Sequence, residues 1–179
     1  MERFKRQALL LAMLDSMMAK GSWCGETHVQ KCAYFLEEGL EVPLGLNFIL
    51  YKHGPFSFDL RETLGEMRGN FLIDLESRSP YGSSLVVSDS GRALKERFPR
   101  TIDEHVAEIE FVADRLSVRG VAELERLGTA LYVMRQGPHA ELSEQVCEIT
   151  RLKPHIDDEA ATAALQEVRS LIAQARSSS

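Results

Sequence analysis

The residues with the most reactive side chains are Cys24, His28 and Cys32, which are spaced four apart, as on one face of a helix. Neighbouring pairs of them could share a metal ion, and a structural zinc would need a further ligand from elsewhere, such as His53. A buried cysteine more often packs as a small hydrophobic residue than it ligates a metal. We therefore expect no metal site. With Cys147 the cysteine count is odd and has no paired spacing, which indicates a reducing cytoplasm.

The sequence carries none of the motifs that would indicate catalysis. It lacks a usable Gly-x-Ser-x-Gly, Ser-x-x-Lys or Cys/His arrangement, and it lacks a phosphate-binding loop and a dinucleotide fingerprint. The paired carboxylates Glu37-Glu38 and Asp157-Asp158-Glu159 fall at predicted helix ends, where solvated charges are common. We expect a protein that is not an enzyme and that uses no cofactor.

The charge distribution argues against a strongly basic nucleic-acid-binding surface. The formal net charge is −6: residues 1–100 hold 13 basic and 13 acidic residues, and residues 101–179 hold 8 and 14. In the third predicted helix Arg61 and Arg68 share a face, but Glu62 and Glu66 are assigned to the same exposed side, where they oppose phosphate. The hairpin after that helix adds only Arg78. DNA binding is therefore possible but disfavoured.

The length and the apolar pattern predict one domain with a helical extension. The chain has 179 residues, of which 44% are hydrophobic, so it can bury a core without disulfides. The longest apolar stretch, Ala8 to Met18, is broken by Asp15, and it is read as an amphipathic first helix rather than a signal sequence or a membrane span. We expect a cytoplasmic protein with no membrane segment.

Periodicity and capping residues predict the order of elements in the first half of the chain. Ser57 and Ser88 are expected to cap the helices that follow them. The predicted elements are helices at about 2–20 and 26–38, a short strand at 47–52, a third helix at 58–70, a hairpin from Phe71–Leu75 and Leu85–Ser88 with a loop at 79–84, and a helix from Ser88 to Phe98, which Pro99 ends.

Helix, helix, strand, helix and hairpin is the order of a winged helix. The predicted fold is thus α+β, mostly α, with a winged-helix-like domain at residues 1–98. In this arrangement the hairpin is the wing, and the strand at 47–52 pairs at the edge of the wing. An ordinary mixed α+β domain with a hairpin is the alternative.

The remaining residues predict a helical extension, 99–176. A capping box at Thr101–Glu104 is expected to open a helix to Leu116, with further helices at 121–134, 139–150 and 158–176 and a frayed tail at 177–179. The apolar positions suffice for a helical hairpin that packs on the first helix. Formation of a homodimer, or binding of a basic partner by its acidic surface, stays open.

The segment His53–Ser57 is the most specific local signal. Gly54 supplies a permissive backbone, Pro55 fixes φ and Ser57 caps, so these three residues predict a tight turn from strand to helix. The same segment could instead be a recognition loop that presents Tyr51, His53 and Phe56. Both interpretations can hold together.

Two stretches resemble known bacterial families. His28–Leu36 contains Gln-Lys-x-x-Tyr, and Tyr51–Ser57 contains His-Gly-Pro before a helix. Together they resemble the YwgA-like uncharacterised family and the Panacea, or SocA-like, antitoxin domain, over about residues 5–98. The resemblance implies a non-enzymatic module that binds a protein partner, often to neutralise a toxin.

We therefore predict a protein-binding module, antitoxin-like or regulatory. The alternative is a winged-helix transcriptional regulator that binds duplex DNA as a dimer, which rests on the fold alone. The candidate contact residues are Tyr34, Tyr51, His53, Phe56, Arg61 and Arg68.

Overall fold

The computed structural model describes residues 2–78 and 82–178. The helices are α1 (Arg3–Ala19), α2 (Glu26–Tyr34), α3 (Phe58–Gly69), α4 (Asp89–Glu96), α5 (Pro99–Asp103), α6 (Val106–Leu116), α7 (Val121–Gln136), α8 (Leu142–Leu152) and α9 (Asp158–Ser178). The strands are β1 (Ile49–Tyr51), β2 (Gly54–Phe56), β3 (Ile73–Arg78) and β4 (Gly82–Val87). This confirms the predicted α+β class with mostly helical content.

Helix α1 lies at the centre of the molecule. Its consecutive residues Leu9, Leu10 and Leu11 are all fully buried, as expected for a helix that is covered on every side. It contacts α4, α5, α6 and β4. The hydrophobic stretch near the N-terminus is therefore the middle of the core, and none of the described helices is long and apolar enough to cross a membrane.

The four strands form two separate antiparallel pairs, β1 with β2 and β3 with β4. The predicted pairing of residues 47–52 with the edge of the second hairpin is wrong, because β1 turns back after Tyr51 and pairs with its own continuation. The edge of β4 instead meets the segment between α1 and α2. There, the Leu85 N–H donates to the Cys24 carbonyl at 2.9 Å, and the Ser84 hydroxyl donates to the Trp23 carbonyl at 2.7 Å.

Both predicted serine caps are confirmed. The Ser57 hydroxyl accepts the Leu60 N–H at 3.1 Å, and the Ser88 hydroxyl accepts the Gly91 N–H at 3.0 Å. These two hydrogen bonds, each between residues three apart in the chain, fix where α3 and α4 begin. Helix α3 thereby starts directly after the first hairpin, which places its first residue beside β2.

The predicted capping box at Thr101–Glu104 is wrong. These residues belong to α5 and its C-terminal end, and α6 begins separately at Val106. Pro99 does not merely end α4 but opens α5, because proline suits the first turn of a helix. A capping box does occur at the start of α8, where it is formed by Glu141 and Glu144. This helix therefore begins at Leu142 rather than at residue 139.

Helix α2 ends in a π-helical turn, Phe35–Gly39, which closes when the Leu40 N–H donates to the Phe35 carbonyl at 2.9 Å. The wider turn presents the carboxylate of Glu37 to the following loop, where it accepts the backbone N–H groups of Gly45 and Leu46 at 2.8 and 2.9 Å. Burial raises the pKa of Glu37, and these two hydrogen bonds oppose that rise.

The helices after residue 98 share one hydrophobic core with the first half of the chain. Helix α6 packs on α1, and α7 lies against α2, β2 and α9. At the C-terminus α9 includes residues 177 and 178, which were predicted as a frayed tail. In the predicted wing loop, residues 82–84 belong to β4, whereas the predictions for residues 79–81, residue 179 and the side chain of Arg78 lie outside what the structure describes.

Candidate functional site: an exposed aromatic surface on a clamped hairpin

The first hairpin is tied to α2 by the side-chain amide of Gln30. Its Nε2 donates to the Ser57 carbonyl and its Oε1 accepts the Ser57 N–H, both at 2.9 Å. Both residues are fully buried. The amide thus replaces the hydrogen bonds to water that the Ser57 N–H and C=O lose on folding. A buried backbone group without a hydrogen-bond partner would lower the stability of the fold.

Two buried lysines hold the backbone carbonyls of the same hairpin. Lys31 Nζ donates to the Pro55 carbonyl at 2.7 Å. Lys153 Nζ donates to the carbonyls of Tyr51 and Lys52 at 2.9 and 2.6 Å, and it lies 3.1 Å from Oε1 of Glu125. Lys153 therefore makes two hydrogen bonds to backbone carbonyls and one ion pair to a carboxylate.

Glu125 on α7 provides the negative charge beside these two buried lysines. Besides Lys153, its Oε1 lies 3.6 Å from Nε2 of His155. Burial lowers the pKa of Lys31 from 10.5 to about 8; the Glu125 carboxylate works against this change and the Lys153 ammonium adds to it. We refer to Gln30, Lys31, Glu125 and Lys153 as the clamp.

Glycines allow the hairpin to lie close to the clamp. Gly54 has φ of +83°, and a Cβ there would lie 3.3 Å from Cε of Lys31. A Cβ on Gly128 of α7 would lie 3.0 Å from Cδ of Pro55. The predicted roles of Gly54 and Ser57 are confirmed. Pro55 lies one residue past the turn, within β2 and buried against α7.

Above the clamp, the hairpin and the start of α3 present three aromatic rings in mutual contact. The ring centroids are 5.8 Å apart for Tyr51 and Phe56, 5.9 Å for Tyr51 and Phe58, and 5.1 Å for Phe56 and Phe58. Tyr51 and Phe58 are 55% and 52% exposed. Ile49, which is also exposed, pairs with Phe56 across the two strands.

Arg61 lies at the edge of these rings. Its guanidinium carbon is 5.8 Å from the centroid of the Phe56 ring, and its Nε is 3.3 Å from Oε1 of Glu26. We define the aromatic surface as Ile49, Tyr51, Phe56, Phe58 and Arg61. Contiguous exposed apolar side chains of this kind are typical of interaction sites, whereas single exposed ones are not.

The structure separates the charges of α3 that the sequence analysis placed together. Arg61 and Arg68 do share a face, and they line the groove between α3 and the hairpin β3–β4. The assignment of Glu62 and Glu66 to the same side is wrong, because both line a different groove with Arg3, toward α1. Glu66 forms an ion pair with Arg3 at 3.2 Å.

The structure buries one of the other predicted contact residues and exposes another. Tyr34 is 1% exposed and packs edge-on against Phe48 at 5.0 Å, so its assignment as a contact residue is wrong. It faces inward because the face of α2 that carries it lies against the core. His53 is exposed at the tip of the hairpin. Phe58 was missed, although its position off the apolar stripe of α3 could have indicated it.

The cysteines and His28 do not gather into a site. Cys24 precedes α2 with φ of +49°, so it does not share a helix face with the other two. Cys32 is buried, and burial raises the pKa of its thiol, which keeps it protonated. His28 Nε2 lies 3.1 Å from the Arg119 carbonyl. Among the described residues no three potential ligands form a metal-binding group.

The site and the fold define a mostly helical α+β protein with a rigidly held, exposed aromatic surface. No protein-family model matches the chain, and a comparison with curated proteins gives no significant match. The resemblance to the YwgA-like and Panacea families therefore stays a prediction, which depends on the motif residues in the clamp and the hairpin.

Two buried glutamines give a matched test of the clamp. Gln30→Met removes both bonds to Ser57 and leaves its N–H buried without a partner, whereas its C=O keeps the Arg61 N–H at 3.2 Å, so we expect a loss of about 1–3 kcal/mol in the free energy of unfolding. Gln7 in α1 is equally buried, but neither atom of its amide has a hydrogen-bond partner in the described part of the chain. Gln7→Met should therefore stabilise by about 1 kcal/mol or more. Urea denaturation measures both changes, and equal effects would contradict the assigned role of Gln30.

The lowered pKa of Lys31 predicts how stability depends on pH. Between the folded pKa of about 8 and the unfolded value of 10.5, the unfolded chain holds a proton that the folded chain has lost, so this residue makes stability rise with pH. The difference in unfolding free energy between the wild type and Lys31→Met should grow by up to about 3 kcal/mol from pH 7 to pH 10.5. Ionisation of Cys32 and Tyr34 occurs in both proteins and cancels. A difference that falls with pH would contradict the assignment.

Proposed function

We propose that this chain is a non-enzymatic cytoplasmic module, antitoxin-like or regulatory, that binds a protein partner through the aromatic surface. The single observation that carries the proposal is that the exposed rings of Tyr51 and Phe58 contact each other and the half-buried ring of Phe56. Aromatic residues and arginine are enriched where protein interfaces have their strongest contacts. Arg61 beside the rings fits this composition.

The clamp supports the proposal because it fixes the surface before any partner arrives. A partner that meets ordered side chains loses less conformational entropy on binding. Lys153 and Lys31 hold the backbone on both sides of the hairpin turn, at Tyr51, Lys52 and Pro55. The backbone that carries the rings is therefore already ordered before a partner binds.

The resemblance agrees with this proposal. Gln30 and Lys31, from the first resembling stretch, bond to Ser57 and Pro55 of the second stretch. These bonds join the two stretches of this chain into one structural unit. Partner binding is what the resemblance implies for that unit.

The proposal predicts a selective loss of binding in Phe58→Asp. A carboxylate at this position puts a charge among the rings. Burying that charge in an interface without a partner costs free energy, so binding weakens. The control is Val118→Asp, because Val118 is 58% exposed, similar to Phe58, but lies outside the aromatic surface. Each purified protein is immobilised and exposed to lysate of the source cells, and the captured proteins are compared by mass spectrometry. We expect a protein retained by the wild type and Val118→Asp and lost from Phe58→Asp. Equal capture by all three would overturn the proposal.

A second candidate function, binding of duplex DNA by a dimeric winged-helix regulator, is favoured by two observations. Arg61 and Arg68 face the groove beside the second hairpin, apart from Glu62 and Glu66. The pairing of β4 with the segment between α1 and α2 also suits a winged helix. Against it, Glu26 lines the same groove and neutralises Arg61.

Salt-dependent binding distinguishes the two functions. We expect a fluorescent random duplex to show no anisotropy change with this protein at about 50 mM salt, because few cations are placed to release counterions from phosphate. Binding at this salt concentration that disappears at about 200 mM would indicate phosphate contacts and would favour the regulator.

A further inference from the structure

A groove of about 520 Å³ runs between α3 and the hairpin β3–β4, next to the aromatic surface. Arg61 belongs to both, so the two features form one continuous surface. Arg68 lies seven residues after Arg61 on the same face of α3, at the far end of the groove. Seven residues of helix separate the two guanidinium-bearing positions by about 10.5 Å.

The floor of the groove is apolar. It is formed by Leu64 of α3 and by Leu75 and Leu85, which are directly paired across the hairpin. Leu64 and Leu85 are each 5% exposed and Leu75 is 43% exposed, so the apolar area that the groove leaves in contact with solvent belongs mainly to Leu75. At Gly65 an added Cβ would meet no atom within 4 Å, so the side of α3 between the two arginines is open to the approach of another chain.

The charge of the groove is opposite to that of the whole protein. The net charge of the chain is −6, yet two arginines face the groove. Glu26 is the acidic residue that lines it among the described residues, and it pairs with Arg61 at 3.3 Å. Asp74 and Glu76 alternate with Leu75 along β3, so they point to the other face of the hairpin.

We propose that this groove binds an acidic amphipathic helix of the partner protein. Such a helix would place carboxylates at positions i and i+7, one against Arg61 and one against Arg68, because its spacing over seven residues equals that of α3. Apolar residues at i+3 and i+4 would lie between them on Leu64, Leu75 and Leu85. This inference rests on the proposed function and adds the chemistry of the partner to it.

The apolar floor favours a helix over a nucleic-acid backbone as the occupant. A sugar-phosphate chain would leave the exposed part of Leu75 without an apolar contact, whereas an apolar face of a helix would cover it. A helix with carboxylates only at its two ends matches both the charged rim and the apolar centre. Its carboxylate at Arg61 would compete with Glu26, which contributes specificity for strongly acidic helices.

Two designed peptides test this groove directly. Each is an alanine-based helix of about 16 residues with Leu at i+3 and i+4; one carries Glu at i and i+7, and the other carries Lys there. Fluorescence anisotropy should show that the wild type binds the Glu peptide at least about tenfold more tightly than the Lys peptide. Arg68→Glu should weaken binding of the Glu peptide at least about fivefold, the effect expected for an ion pair at a partly exposed site.

Arg126→Glu is the matched control, because it makes the same charge change at an exposed position of α7 that does not line the groove. Its affinity for the Glu peptide should equal that of the wild type. Equal affinity of the wild type for both peptides, or equal behaviour of the two variants, overturns the proposal. So does binding of a random duplex that Arg68→Glu abolishes while neither peptide binds.

Capture with these variants separates the groove from the proposed function. A protein that is lost from Phe58→Asp but retained by Arg68→Glu would leave the proposed function standing and remove the groove from it. A protein lost from both of these variants and retained by Arg126→Glu supports both proposals. Absence of any protein sensitive to Phe58→Asp removes the proposed function, and the peptide measurement still decides whether the groove binds acidic helices.

Discussion

The architecture of the first hairpin depends on buried side-chain donors that bind its backbone carbonyls. Two strands of three residues each are too short to be stable by themselves. Lys31 and Lys153 contact the carbonyls on either side of the turn, and Glu125 balances the charge of Lys153. A buried cation without such partners would be strongly destabilising, so lysines, carboxylate and hairpin require one another.

This constraint explains how aromatic rings can lie at the surface in an ordered arrangement. A hairpin is usually stabilised by apolar side chains that face the core. Here buried lysines bind the carbonyls of the hairpin, and β2 packs on α2 and α7. Tyr51 and Phe58 are thereby left exposed, and Ser57 connects the hairpin to α3 through its cap and its bonds to Gln30. The same connection sets the position of Arg61 relative to the rings.

Local signals predicted the serine caps but not every helix start, since the capping box expected at Thr101–Glu104 is absent there. The Ser57 and Ser88 caps were predictable because each acts within three residues of its own position. The edge pairing of β4 was not, because the bond from Leu85 joins residues far apart in the chain. Similarly, the burial of Tyr34 and the separation of Arg61 and Arg68 from Glu62 and Glu66 depend on which neighbours pack on each side of a helix. Lys153 could not be assigned to the site, because its contacts lie about a hundred residues away.

The sequence by itself determined the fold class, most of the helices, the turn at Gly54 and the presence of aromatic residues around it. These follow from periodicity, capping and backbone preference, which act over a few residues. Only the tertiary structure decided that the motif residues Gln30 and Lys31 serve the hairpin, that Glu125 and Lys153 complete the clamp, and that the arginines of α3 face a groove. The reason is physical: burial, charge compensation and the facing of a helix arise from contacts between segments, and no single segment contains them.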